Sequence, residues 1–495
     1  MTRSPGTGLS KSRYCYGLQC PRQLWWRAHE PDAPELVAGP ALQAVFDRGH
    51  RVGALARERF PGGILVDGDH RAVRERVERT RRAVAGGAPA IFEAAFVTGD
   101  LFVAVDVLER GRAGWTLAEV KSTLDVKAAH LPDVAVQLHA LRACGLDVRR
   151  AEVMHLDRAC RFPDLSNLFA RDDVTAEAEA LLPAIPDQLR ALRAALAGPL
   201  PEAAIGDRCS DPYECPFLAR CWPALPPHHV STLYRIGRRA ADLVAGGHQT
   251  IGDLPEDVAL PAVAARQARS VRSGETVVEP GLAGALARLE PPVAFLDFET
   301  VMPAVPAWDG CHPYEQVAVQ LSCHVAGPGG RLEHHEFLAE GPGDPRPAVA
   351  GAVVRACAGA GTVLAYNAAF ERRCLEHLAA AVPARREALE EVARRLVDLL
   401  PIVRDHVYHP DFGGSFGLKS VVPALCPGLG YADLDIGEGG TASAVLEALL
   451  LDERSLAAEE RARLRGQLLA YCERDTLAMV RLVERLRELA GRPGR

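Results

Sequence analysis

No stretch of 18 consecutive apolar residues occurs in the 495-residue chain, so a membrane-spanning helix is not expected. The opening segment, MTRSPGTGLSKSRYCYGLQC, lacks the apolar core of a secretory signal. An excess of basic charge is missing as well: 57 Lys and Arg stand against 64 Asp and Glu, a net charge of −7. Any surface for nucleic acid must therefore be local. Internal repeats and low-complexity tracts are absent. A disulfide framework is not expected, because the 13 cysteines are odd in number and scattered through a chain without a secretion signal. These absences leave a cytoplasmic globular protein with no membrane partner as the expectation, and a composition 48% apolar and 24% charged agrees with it. At this length two or three domains are expected.

What is present divides into three parts. Residues 1–225 read as an α/β module. An arginine-rich helix over 71–84 (Arg71, Arg74, Arg76, Arg79, Arg81, Arg82) precedes the strands IFEAAFV, LFVAVDVLER and GWTLAEVKST, then a helix HLPDVAVQLHALRACG and a strand RRAEVMHL. Residues 226–290 read as a helical connector. Within it, LYRIGRRAADLVAGGHQTIGDLP suggests two short helices about a Gly-rich turn, as in helix-hairpin-helix units, or simply a linker. Residues 291–495 start a second α/β pattern with strands VAFLDFET, YEQVAVQLSCHV, RLEHHEFLA and TVLAYNAAF, followed by helices.

In the last part, Asp297 and Glu299 lie two apart on a strand, so both side chains leave one face. Two carboxylates directed at one spot repel each other unless a cation lies between them. Glu371, just after a strand-to-helix turn, can reach the same place. Tyr471 and Asp475 share a helix face at i, i+4. Oxygen-only ligands suit Mg²⁺ or Mn²⁺, and two such ions roughly 4 Å apart stabilise the attacking and leaving oxygens of a phosphodiester displacement. Tyr471 would hold the attacking water. The order DxE, NxxFE, YxxxD resembles the DEDD exonucleases of the ribonuclease H-like fold, in the tyrosine subclass that includes polymerase proofreading domains. That resemblance makes Asp297, Glu299, Glu371 and Asp475 the metal carboxylates and Tyr471 the water-orienting residue. The family's second motif normally ends in Asp, where this chain has Glu371. The segments LVDLLPIVRD and SFGLKSVVP also resemble the family, with Lys419 either a phosphate contact or a plain surface lysine.

In the first part, Asp106 lies near the end of one strand and Glu119-Val120-Lys121 occupies the next, with acid and base on one face and Val120 entering the core. Antiparallel neighbours would bring Asp106 to Glu119, where both could hold a metal while Lys121 polarises water or neutralises phosphate. Read alone, ExK also fits a surface ion pair. With Gln137 on the following helix, the set resembles the RecB-like branch of the PD-(D/E)XK, restriction-endonuclease-like nucleases. That branch usually has Q-x-x-x-Y, whereas residue 141 here is Leu. Glu93 and His50 are further candidate metal ligands.

RecB-like nucleases often bracket their core with an iron–sulfur cluster, one cysteine before and three after. Cys20, Cys209, Cys215 and Cys221 supply that pattern and imply a [4Fe–4S] cluster, with zinc as the alternative and Cys15 as an alternative ligand. Such a cluster would staple about 190 residues of chain. The other cysteines are expected as buried thiols. Over its full length, LSKSRYCYGLQCP at one end and FLDFET at the other resemble a bacterial family that joins a RecB-like module to a DEDD module. The expectation is a metal-dependent nuclease with two centres acting on DNA, single-stranded or at ends, with phosphate contacts from the 71–84 arginines. The alternatives are a nucleic-acid clamp with degenerate centres and an RNA 3′ exonuclease. Protein partners are not legible.

Overall fold

The computed structural model describes residues 8–69, 72–452 and 456–491, so Arg71 of the arginine helix lies outside the described residues. The protein is mixed α/β and forms two compact units, Met1–Pro223 with Pro303–Glu315 and Ala224–Met302 with Gln316–Arg495. Residues 226–290, expected as a connector, thus belong to the second unit, and a short segment beyond β9 (defined below) belongs to the first. No helix among the described residues is long and apolar enough to cross a membrane.

The first unit runs β1 (Leu9–Ser10), α1 (Lys11–Gln19), α2 (Pro21–His29), α3 (Pro40–Arg57), β2 (Ile64–Leu65), α4 (Val73–Ala85), β3 (Ala90–Thr98), β4 (Leu101–Gly111), β5 (Gly114–Val120), α5 (His130–Ala143), β6 (Val148–Leu156), β7 (Phe169–Asp173), α6 (Thr175–Leu181), α7 (Ile185–Ala197) and α8 (Leu218–Cys221). Its sheet has the order β2-β3-β4-β5-β6-β7, with β1 pairing parallel to β4. Strands β3, β4 and β5 form an antiparallel meander, and α5 crosses over to β6, which lies parallel to β5. Helix α1 starts where the Ser10 hydroxyl accepts from the Arg13 amide at 3.2 Å. It stops at Cys20, whose extended backbone hands over to Pro21 at the first position of α2. Cys20 is therefore held at a rigid joint. Gly17 lets α1 approach α7: a Cβ there would meet Leu192 Cδ2 at 2.5 Å.

The second unit runs α9 (Arg239–Ala245), α10 (Ala262–Ser273), β8 (Val277–Val278), α11 (Leu282–Leu286), β9 (Val293–Val301), β10 (Val317–Ala326), β11 (Leu332–Leu338), α12 (Arg346–Ala356), β12 (Thr362–Ala365), α13 (Ala369–Ala381), α14 (Arg386–Arg394), β13 (Leu396–Asp398), α15 (Leu399–His406), β14 (Val407–Tyr408), α16 (Leu418–Leu425), α17 (Gly439–Leu451) and α18 (Ala458–Ala490). The main sheet is β11-β10-β9-β12-β13, with β10 antiparallel to both neighbours and β12 and β13 parallel to β9; β8 and β14 pair separately. The two helices expected about a Gly-rich turn are one α-helix, α9, and a single 3-10 turn over Ile251–Asp253. The Thr250–Asp253 capping box closes that turn, and Pro255 follows too soon for a longer helix.

Central strand β9 explains where the second site falls. Ala294, Leu296 and Phe298 on one face join the core beneath α12, α13 and α14. On the other face Val293 and Phe295 join a second core that includes α11, α15 and α18. By the two-residue period Asp297 and Glu299 continue that second face, which turns from apolar to acidic partway along the strand. Across from it, α18 buries Leu468, Tyr471, Cys472, Asp475, Thr476, Met479, Leu482 and Leu486, a helical stripe interrupted by polar groups at one level.

Candidate functional site

In the second unit, single carboxylate oxygens of Asp297, Glu299 and Asp475 lie within 4.8 Å of one another. Asp475 is 8% exposed, yet none of Asp297, Glu299, Glu371 and Asp475 makes an ion pair with a described basic residue. Burial, then Asp475, Glu299 and Glu371, hold Asp297 well above the carboxylate range. Burial and Asp475 push Glu299 up to about 8, against the pull of Lys419. Glu371, at the start of α13 and 3% exposed, is pushed to about 8 by burial and by Asp398, and its Oε2 is buried without a hydrogen-bond partner. It stands outside the tight trio but close enough to raise Asp297 and Glu299. An unpartnered, buried acid oxygen beside three converging carboxylates fits a divalent cation.

Around the acids, the Tyr431 hydroxyl donates to Asp475 Oδ1 at 2.5 Å. Lys419 Nζ donates to the Tyr471 hydroxyl at 3.1 Å and to the Gly437 carbonyl at 2.5 Å, and it lies over both tyrosine rings. Burial raises the Tyr471 phenol, so it remains a neutral hydroxyl. The Cys472 thiol sits 3.4 Å from Asp297 Oδ2. Asp398 caps α15 and accepts from the Asn367 amide at 2.9 Å, which fixes the turn that delivers Glu371. Sequence reading missed Tyr431 and took Cys472 for an ordinary core thiol; nothing local distinguishes either one. A cleft of about 730 Å³ in the same unit lies elsewhere, between α10 and the Glu279–His406 region, and its Arg266 and Arg269 are already bound to Glu279.

The first unit also gathers its acids, but around lysines. Asp106 and Glu119 are antiparallel neighbours on β4 and β5, and Asp106 Oδ2 accepts from the Val120 amide at 2.8 Å. Lys121 Nζ donates to Glu119 Oε1 and Asp133 Oδ2, both at 2.7 Å. Gln137, fully buried, donates to Glu119 Oε2 at 2.8 Å. Lys11 of α1 reaches both Glu119 oxygens at 3.0 Å, Asp106 at 3.8 Å and Asp133 at 3.9 Å, an ammonium among three carboxylates. Burial opposes the charge on Glu119, but Lys11 and Lys121 outweigh it and hold that acid below the usual range. Burial and Glu119 push Asp106 up to about 7. Lys11 and Asp133 were not anticipated. Asp133 lies one helical turn before Gln137, a spacing that could have revealed it, whereas Lys11 is 108 residues from Glu119.

Other expected residues fall differently. Glu93 has a left-handed φ of 54° and pairs with Arg76 at 3.7 Å, with its side chain 41% exposed, but its charge still helps to raise Asp106. His50 is exposed on α3 and is not among the described clusters of metal-ligand type. Leu141, one helical turn beyond Gln137, is fully buried in the core. The arginines of α4 are largely matched: Arg76 to Glu93, Arg79 to Asp67, Arg81 and Arg82 to Glu78; Arg74 is exposed.

Cys20, Cys209, Cys215 and Cys221 come together where α1 and α2 meet the 206–222 segment. Gln19 Nε2 donates to the Arg208 and Tyr213 carbonyls at 2.8 and 2.6 Å, and the Cys215 amide donates to the Cys209 carbonyl at 2.8 Å. Burial raises the Cys215 thiol, and the neighbouring Cys20, Cys221 and Cys209 raise it further. No three of these sulfurs lie within 4.8 Å of one another. Trp26 and Phe217 cover the group, their rings 5.1 Å apart. Cys15 belongs instead to the lysine–carboxylate centre, where burial and Asp133 push its thiol up to about 12. Of the cysteines expected to be buried, Cys144 is exposed at the end of α5 and Cys426 is half-buried.

The arrangement defines a mixed α/β protein with two carboxylate centres and a thiol quartet. A family described as a domain of unknown function, DUF2779, matches residues 294–417, which carry Asp297, Glu299 and Glu371 and stop short of Tyr471 and Asp475. No curated protein matches the chain.

Proposed function

We propose that the protein is a metal-dependent nuclease whose principal centre is the acidic cluster of the second unit, removing nucleotides from the 3′ end of DNA. One observation carries the reading: Asp297, Glu299 and Asp475 converge with no ion pair to a described basic residue, beside an oxygen of Glu371 that has no hydrogen-bond partner among the described residues. Divalent ions held by these four acids would neutralise phosphate charge and supply hydroxide at neutral pH. Tyr471, neutral and fixed by Lys419, would orient the attacking water, and Asp475 is itself fixed by Tyr431. The antiparallel hairpin pair and parallel crossovers around β9 support the ribonuclease H-like reading of this unit.

For the first unit the β-meander, α5 and β6, with Asp106, Glu119, Lys121 and Gln137 at one point, support a RecB-like PD-(D/E)XK module. Lys11 favours the second reading for that centre, a nucleic-acid clamp, because its ammonium sits where a cation between Asp106 and Glu119 would. The thiol quartet would hold a [4Fe–4S] cluster. Five residues separate Cys209 from Cys215 and Cys215 from Cys221, a wider sequence spacing than the paired C-x₂-C of most zinc ribbons, which favours iron–sulfur. Visible absorption with iron and sulfide analysis after anaerobic purification tests that assignment, and a colourless protein containing zinc would overturn it.

The activity is tested with labelled single-stranded DNA, duplex DNA and RNA in Mg²⁺ or Mn²⁺. The expected result is shortening of DNA from the 3′ end, lost in Asp297→Ala and retained in Lys121→Ala. Equal degradation by parent and both variants would sink it, and preference for RNA would reassign the substrate.

A further inference from the structure

The same sheet carries a second cluster of ligand type whose chemistry differs from the acids. His324 on β10 and His334 on β11 are direct cross-strand partners, so their rings stack at 4.4 Å with an interplanar angle of 23°. Glu473 reaches them from α18, and one ligand atom from each of the three lies within 4.8 Å of the others. His334 Nδ1 is 3.8 Å from Glu473 Oε1.

A closed chain of hydrogen bonds orients the two imidazoles. Thr476 Oγ1 donates to the Glu473 carbonyl at 3.0 Å, which uses its only proton. Ser322 Oγ and His324 Nδ1, at 2.7 and 2.8 Å, must then both donate to Thr476 Oγ1. Ser322 has spent its proton in turn, so at 2.9 Å it accepts from His334 Nε2. Both rings therefore carry their proton on the nitrogen facing Ser322 or Thr476. The lone pairs of His324 Nε2 and His334 Nδ1 are left for a ligand. Outer hydrogen bonds of this kind fix the tautomer of metal-binding histidines.

We propose that His324, His334 and Glu473 form a separate site for a transition-metal ion of the zinc class. Two imidazoles and one carboxylate suit Zn²⁺, Co²⁺ or Ni²⁺, and three protein ligands leave a position for water or a further ligand. His334 and Glu473 are 23% and 47% exposed, so an ion can enter from solvent, while His324 is buried at the base. An ion there ties α18 to β10 and β11. The proposal does not depend on nuclease activity, because none of its ligands belongs to the acidic cluster.

The test is Ni²⁺ binding to the full-length protein, by equilibrium dialysis and by thermal melting, for the parent, His334→Ala, Glu473→Gln and Asp297→Asn. The parent is expected to bind one more tight equivalent than His334→Ala. Affinity at that site should fall by at least about 100-fold on loss of the ligand, and Glu473→Gln, on an exposed side chain, should weaken it without disturbing the fold. Asp297→Asn should keep the equivalent. Equal binding by parent, His334→Ala and Glu473→Gln would overturn the assignment, as would an equivalent that disappears with Asp297 and not with His334.

Discussion

The two carboxylate centres of this chain are built from the same residue types and solve opposite problems. In the first unit Asp106, Glu119 and Asp133 surround Lys11 and Lys121, so the buried negative charge is met from within the chain. In the second unit Asp297, Glu299, Glu371 and Asp475 have no such ion pair among the described residues, and Lys419 bonds Tyr471 and a carbonyl instead. Burying an ionised carboxylate without a partner is costly, so the second centre must hold protons or cations, whereas the first need not. Acid count alone is therefore a poor guide to a metal site. What decides is whether the fold delivers a cation of its own.

The largest expected effect that would break this comparison is on turnover. Asp297→Asn should lower Mg²⁺-dependent DNA degradation by at least on the order of 10²-fold, while Glu119→Gln should leave it largely intact; the reverse pattern, read by product gels, would exchange the roles of the two centres. Next, Lys11→Met removes the internal cation of the first unit. It should destabilise the fold by about 3 kcal/mol, the low end for breaking a buried pair because Lys11 is 20% exposed. Mn²⁺ should restore part of that loss if the vacated position can then take an ion, and thermal melting with and without Mn²⁺ reads both.

A third expectation concerns pH. Glu299 and Glu371 are raised from 4.5 to about 8 in the folded protein. Between those values the unfolded chain has released protons that the folded chain still holds, so these acids make stability fall as pH rises. Glu119 runs the other way: its folded value is depressed, so its contribution is present above 4.5 and lost as pH falls through the folded value. Mg²⁺ should accordingly raise the melting temperature more at pH 8 than at pH 5, and an equal shift would contradict the unpaired state of the second centre. The smallest effect is expected for Glu371→Asp, which shortens the acid by one methylene at the position where the resembling family carries Asp. Activity should stay within about tenfold of the parent.

Much of both centres was legible locally. The DxE pair follows from the strand period, YxxxD from the helical one, and ExK with Gln137 from a strand and the helix after it. The missing members have no local signature. Lys11 meets Glu119 only through the packing of α1, and Tyr431 meets Asp475 across a loop. The pairing of His324 with His334 needs the register of β10 and β11. Glu93 breaks the strand alternation with its own left-handed backbone, yet it stays near enough to the first centre to raise Asp106. At position 141 the departure from Q-x-x-x-Y is a buried Leu, one turn beyond Gln137.

The most direct test of the central claim is Mn²⁺ binding to the full-length protein at neutral pH, compared between the parent, Asp297→Asn and Glu119→Gln. The account predicts Mn²⁺ bound by the parent, retained by Glu119→Gln and lost or severely weakened in Asp297→Asn. Binding that survives in Asp297→Asn and disappears in Glu119→Gln would contradict it.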